Sequence, residues 1–206
     1  MLKKTVLTFA FLTILTTFYG FNAQFSAPAT DDALDALAEM HHSLLPEGSY
    51  VISAYDNLIR NISEEEGHDW RLMSAIAYHE SRFTPDITSR SGARGLMQIT
   101  EETFDWIKLK IAPSEDLTFD DLYDPETNIR FGTYFVSYCL LRYHDDLATA
   151  AAAYHSGWGT VDNLLSQAEY SSDGETLDHY PYPQMRLYVR KITNSYQRYQ
   201  DIYNEK

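Results

Sequence analysis

The chain has 206 residues, 44% of them hydrophobic and 22% charged, enough for one domain with an ordinary core. Its 30 acidic residues outnumber 16 Lys and Arg, and the net charge of −14 argues against nucleic acid or an anionic lipid surface as partner. The single Cys139 excludes an internal disulfide framework and any multi-cysteine zinc site.

In chain order, Lys3 and Lys4 precede an apolar run from Val6 to Phe21, which is shorter than the ~20 residues of a comfortable membrane span. Ala27-Pro28-Ala29 offers a small-residue cleavage pattern weakened by its proline. Residues 1–29 are read as a signal peptide or a signal anchor. Either exports the remainder to the periplasm, the cell wall or the medium, and an anchor would hold it to the cytoplasmic membrane through residues 5–21. Residues 30–49 form a linker with a short amphipathic helix, Leu34, Leu37, His41 and Leu44 lying on one stripe. Pro46-Glu47-Gly48 breaks it.

The domain proper is assigned to residues 50–206. A helix from Tyr55 to Glu66 turns Tyr55, Leu58, Ile59 and Ile62 inward, and Gly67 ends it. Asp69 caps the next helix, expected over 70–83 ahead of Pro85. Residues 88–97, with Ser-Gly and Arg-Gly pairs, read as an ordered loop. Thr100, followed by Glu101 and Glu102, opens another helix with acids where the macrodipole favours them. Asp124-Pro125 starts a helix that runs to about Tyr143, with proline at its first position. Asp145-Asp146 caps an alanine-rich helix through His155, terminated by Gly157. A short helix follows to about Glu169, then a polar loop over 171–183, then a last helix over 184–203. No strand alternation is found, so the class is mainly α. Aromatics make up 14% of the chain, and its 16 tyrosines suit either a core or a groove that stacks on sugars or peptides.

One residue breaks the pattern. Leu72, Ile76 and Phe83 are spaced as one helical face, and Glu80 falls on that face. A carboxylate placed there loses water, its neutral form is favoured, and its pKa rises. A carboxyl that is protonated near neutrality suits general acid catalysis. The same position also suits a buried glutamate bonded to backbone, or one that bends to solvent at the helix end. Cys139 sits among Tyr138, Leu140 and Leu141 as a small core residue. The histidines show no ligand spacing, and His79-Glu80 is not part of a His-Glu-x-x-His motif, so no metal and no cofactor are implied.

Four blocks give these residues a context. Ala75-Ile-Ala-Tyr-His-Glu-Ser-Arg-Phe83 is followed by Ser91-Gly-Ala-Arg-Gly-Leu-Met-Gln-Ile99, then Ala152-Ala-Tyr-His-Ser-Gly157, then Tyr182-Pro-Gln-Met-Arg-Leu-Tyr-Val189. In order and spacing they resemble the catalytic domain of the soluble lytic murein transglycosylase family, which has the goose-type lysozyme fold. The resemblance covers about residues 50–206 and implies a single lysozyme-like globular domain.

It also implies roles. Glu80 matches the family's sole catalytic acid, and Ser81 the serine beside it that helps bind or polarise substrate. Gly95, Leu96, Met97 and Gln98 match a loop whose Met and Gln line the glycan groove, with glycine letting backbone approach a ligand. Tyr154 matches a tyrosine whose hydroxyl points to the acid. His155 replaces the family's usual Asn, and either orients substrate or satisfies a helix end. Tyr188 is a candidate groove residue. Gln184 and Met185 depart from the family's Glu-Thr, and Arg186, which is kept, is read as a structural ion-pair partner. The implied substrate is the glycan strand of peptidoglycan, cleaved between N-acetylmuramic acid and N-acetylglucosamine to give a 1,6-anhydromuramyl end. Glu80 would act first as acid and then as base. Two alternatives stay open: a hydrolytic muramidase of the same fold, and a glycan-binding envelope protein without catalysis. Protein partners are not legible.

Overall fold

Helix α1 (Asp56–Glu65) is anchored at its start by its own first residue. The Asp56 carboxylate accepts from the amides of Ile52 at 2.6 Å and Ser53 at 2.7 Å. The computed structural model describes residues 52–203, which fall within one compact unit spanning Val51–Lys206. The segments read as signal or anchor (1–29) and linker helix (30–49) lie outside the described residues.

Helix α2 (Trp70–Ser81) follows Gly67, whose φ of 76° reverses the chain. Asp69 caps it as expected, accepting from the Arg71 amide at 2.9 Å. Leu72, Met73, Ala75, Ile76 and Ala77 are all buried, so α2 meets the core on several sides. It stops two residues sooner than the sequence suggests. Arg82 and Phe83 both take left-handed backbone, with φ of 53° and 58°, and turn the chain off the helix axis before Pro85. Phe83 therefore does not share the helical stripe of Leu72 and Ile76, although it still packs against the core.

The following loop is ordered by two isolated antiparallel bridges, Thr88 with Arg94 and Arg94 with Ile99. Helix α3 (Glu101–Ile111) is capped by Thr100. A short 3-10 turn (Phe119–Tyr123), not anticipated from the sequence, is fixed where Asp121 accepts from the Thr118 amide at 2.6 Å. Helix α4 (Pro125–Arg142) has Asp124 as its cap and buries Phe131, Phe135, Val136 and Cys139. Helix α5 (Leu147–Ser156), capped by Asp146, buries four consecutive alanines, Ala150 to Ala153. Such short side chains let neighbours approach closely. Helix α6 (Trp158–Leu165) ends earlier than expected, and α7 (Pro183–Ile202) closes the domain. Helix α7 packs along both α2 and α5, while α5 also packs on α4. Among the described residues there are seven α-helices and no strand, in agreement with the mainly α class read from the sequence.

Candidate active site

Glu80 lies in the last turn of α2, where α7 crosses it. The residue keeps part of its surface open, yet its carboxyl is sunk among apolar and aromatic groups. Burial pushes its pKa up to about 7, against the opposing pull of one hydrogen bond from Tyr188. The Tyr188 hydroxyl donates to Glu80 Oε1 at 2.6 Å. Burial, and then the charge of Glu80, hold the Tyr188 phenol well above its ordinary value, so it remains a donor. Near neutrality, the carboxyl is thus divided between its two protonation states. It can give a proton to a basic oxygen and take one back.

Tyr154 comes from α5 and occupies the same neighbourhood, its phenol also raised by burial and by Glu80. The resemblance points its hydroxyl toward the acid; the hydrogen bond it donates goes to the Met97 carbonyl at 2.7 Å, bracing the Gly-Leu-Met-Gln loop. The hydroxyl bonded to Glu80 is that of Tyr188. The ring of Tyr154 rests on Phe135 at 5.1 Å. Phe135 in turn joins an aromatic cluster of Trp106, Tyr138 and Trp158 that the sequence reading did not assemble.

Four other residues expected to bind substrate are engaged by the protein itself. Ser81 is 4% exposed, and its one hydroxyl proton is shared between the carbonyls of Leu96, at 2.7 Å, and Ala77, at 3.1 Å. It ties α2 to the loop rather than presenting a hydroxyl to a ligand. Met97 is 1% exposed, with its sulfur against Gly132 of α4, where an added Cβ would lie 2.3 Å from it. Its side chain supports the site from below and offers no surface to a glycan. Gly95 (φ 76°) is demanded by the protein's own packing, since a Cβ there would lie 2.0 Å from Asn128 Nδ2. Gln98 folds back on the loop, donating to the Gly95 carbonyl at 2.9 Å.

Asn128 was missed in the sequence, although it obeys the logic that singled out Glu80, being a polar residue on the apolar face of its helix. Fully buried, it accepts from the Met97 amide at 2.8 Å and donates to the carbonyls of Leu122, at 2.8 Å, and Arg94, at 3.0 Å. It satisfies loop backbone groups that would otherwise be buried without partners. His79, beside Glu80, pairs with Ser195 Oγ at 2.8 Å and adds a second tie between α2 and α7.

His155 stays exposed at the end of α5 and stacks flat on Tyr188, with ring centroids 4.4 Å apart and planes 13° from parallel. Burial of part of its ring lowers its pKa and so favours the neutral imidazole. In the last block, Met185 is core, Gln184 is exposed, and Arg186 donates to the Tyr180 carbonyl at 3.0 Å rather than forming an ion pair. Asp86, Glu101 and Glu102, the acids that follow Glu80 along the chain, are exposed. Among the described residues, Glu80 is the carboxylate whose charge acts most strongly on Tyr154 and Tyr188, and no cluster of His, Cys, Asp and Glu is arranged to hold a metal. Burial pushes the Cys139 thiol up to about 12, an inert core group.

The transglycosylase SLT domain model matches residues 57–176. That span contains Glu80, the loop and the Tyr154-His155 pair, and stops before Tyr188. The membrane-bound lytic murein transglycosylase F of Serratia proteamaculans is 27% identical across 87% of this chain and 39% of its own length. The protein of the same name from Alcanivorax borkumensis is 30% identical across 56% of this chain and 24% of its own. The 70 kDa soluble lytic transglycosylase of Escherichia coli superposes with a TM-score of 0.65 at 26% identity, covering 74% of this chain and 25% of that structure. The chain thus spans well under half the length of these relatives.

Proposed function

Because the chain belongs to the transglycosylase SLT domain family, we propose that it cleaves the glycan strands of peptidoglycan without water, with Glu80 as both acid and base. The observation that carries this reading is one buried carboxyl, raised to about 7 and held by one phenol, and among the described residues no second carboxylate hydrogen-bonds Tyr188 or Tyr154. Glycosidases that add water use two carboxylates flanking the bond. One suffices where the nucleophile is already on the substrate.

In the first step Glu80 transfers its proton to the glycosidic oxygen between N-acetylmuramic acid and N-acetylglucosamine. The bond from C1 to that oxygen breaks, and the leaving sugar departs with its hydroxyl. Positive charge develops on the muramic acid ring, beside its own 2-acetamido group. Glu80, now a carboxylate, accepts the proton of the muramic acid C6 hydroxyl while O6 bonds to C1. The product is a 1,6-anhydromuramyl end, the enzyme regains its proton, and no water is consumed. Holding the C6 oxygen on the same ring makes the attack intramolecular. Tyr188 stabilises the carboxylate between the steps, and Tyr154 holds the loop below it.

Export belongs to the same proposal. It is supported by Lys3, Lys4 and the apolar run that follows them, and by relatives described as membrane-bound. Among the described residues no helix is long and apolar enough to cross a membrane, and the anchor considered is the apolar run within residues 1–29.

The test is mass spectrometry of the muropeptides released from purified sacculi. Ends lighter by one water than hydrolysed ends are expected. Hydrated ends in their place would make the protein a muramidase, and binding without release would make it a non-catalytic glycan-binding protein.

A further inference from the structure

His155 is a histidine at the last turn of α5, one residue after a tyrosine whose hydroxyl is already engaged with the loop. The next side chain on a helix points about 100° away. That rotation carries His155 from the loop side, where Tyr154 lies, to α7, where it meets Tyr188 face to face at 4.4 Å. Tyr188 is 8% exposed, and its hydroxyl reaches Glu80 across 108 positions of sequence. The three side chains thus form a line from the surface to the carboxyl: imidazole, phenol, carboxylate.

We propose that His155 is a positioning residue: its ring, stacked flat on Tyr188, fixes the phenol in the orientation that donates to Glu80. The inference rests on the reading of Glu80 as the acid. A tyrosine ring on a helix has two side-chain torsions, and the second is broad. The phenol oxygen lies on the axis of that second torsion, so packing on the flat face acts through the first, narrowing the arc over which the hydroxyl swings, and through the ring plane it sets the direction of the O–H. A hydrogen bond of 2.6 Å tolerates little of that arc. The effect requires a flat ring and does not require charge.

The groups that face this line come from four helices. Glu80 stands on α2, Tyr154 and His155 on α5, Tyr188 on α7, and Cys139 on α4. The two phenols and the thiol are all held above their ordinary values and stay neutral through the working range. Glu80 exchanges its proton there, and the histidines beside the line are His155, whose pKa burial lowers, and His79, which pairs with Ser195 Oγ at 2.8 Å.

The hydrogen bond from Tyr188 favours the carboxylate, so loosening it favours the acid. A His155→Ala variant is expected to lower kcat roughly two- to tenfold, the scale of one aromatic pair. Its KM should stay within about twofold, and the basic limb of kcat/KM should move to higher pH. His155→Phe should restore both kcat and the limb, because it keeps the stack and removes the charge. A Phe variant as impaired as Ala would overturn the proposal in favour of a charge effect. A rise in KM without movement of the limb would overturn it in favour of direct glycan contact. A substrate-free readout separates this inference from the proposed function. Carbon-13 NMR titration of the Glu80 carboxyl, assigned with Glu80→Gln, should shift upward in His155→Ala and match wild type in His155→Phe. If the wild type yields no anhydromuropeptides, the functional reading fails while this titration still decides the coupling. An unmoved Glu80 titration in His155→Ala overturns the coupling whatever the product.

Discussion

Helices α2 and α7 meet at both ends of α2 through a tyrosine hydroxyl donated to a carboxylate, and the two ends behave in opposite ways. At the start, Tyr196 donates to Asp69 Oδ2 at 2.9 Å. At the end, Tyr188 donates to Glu80 Oε1 at 2.6 Å. Asp69 also takes the Arg71 guanidinium on both oxygens, at 2.8 Å each, and the Arg71 amide at 2.9 Å. Burial pushes Asp69 up, but Arg71 and Tyr196 together pull it below its ordinary value. Glu80 has the phenol alone, so burial wins and raises it to about 7. A tyrosine does not decide the state of a carboxylate by itself. The number of donors set against the loss of water does. Asp69 has several charge-assisted bonds and serves as a cap, whereas Glu80 has one bond and is left able to exchange its proton.

The comparison is broken most severely by removing the exchangeable proton. Glu80→Gln should fold and lose roughly 10²-fold or more of its rate of anhydromuropeptide release, the scale of a positioned acid. Near-wild-type release by the folded variant would remove Glu80 from the mechanism.

Removing the one bond sharpens the contrast. A hydrogen bond to a charged group contributes about 1.5–3 kcal/mol, or about one to two pKa units. Tyr188→Phe should therefore raise Glu80 further and carry the basic limb of the pH–rate profile upward by about a unit. A limb that stays in place would show that burial alone sets the carboxyl.

The smallest effects are on stability, and their pH dependences run in opposite directions. Asp69→Ala removes a cap worth about 0.5–2 kcal/mol and should lower the melting temperature while leaving the rate within about twofold. The folded state binds a proton at Asp69 less tightly than the unfolded chain does. Its contribution is present above the ordinary Asp range and lost as pH falls. At Glu80 the folded state binds the proton more tightly. Its contribution is present below the ordinary Glu range and lost as pH rises toward 7. Between pH 4.5 and 7, wild type should therefore lose melting temperature relative to Glu80→Gln. Parallel melting curves for the two proteins over that range would contradict the raised carboxyl.

Asp69, Thr100, Asp124 and Asp146 were legible as caps because capping is a bond between a side chain and an amide two or three residues on, and the chain there carries its own answer. The burial of Glu80 was legible for a similar reason, since it follows from helical period. Helix ends were less so. Arg82 and Phe83 take left-handed backbone without a glycine to announce it, and α6 ends at Leu165 in a stretch with no strong stop signal. What only the tertiary structure decided is which way each site residue faces. The resemblance grouped Ser81, Gly95, Met97, Gln98, Tyr154, His155 and Tyr188 as substrate-binding residues, and the packing of α4, α5 and α7 sorts where they face. Ser81, Gly95 and Met97 go to the loop's underside, Tyr154 to the Met97 carbonyl, and Tyr188 to Glu80. Period and capping are set within one or two turns of chain. The partner of a hydroxyl is set by where two distant helices cross, and that crossing is fixed by the volumes of side chains such as the alanines of α5 and Gly132 of α4.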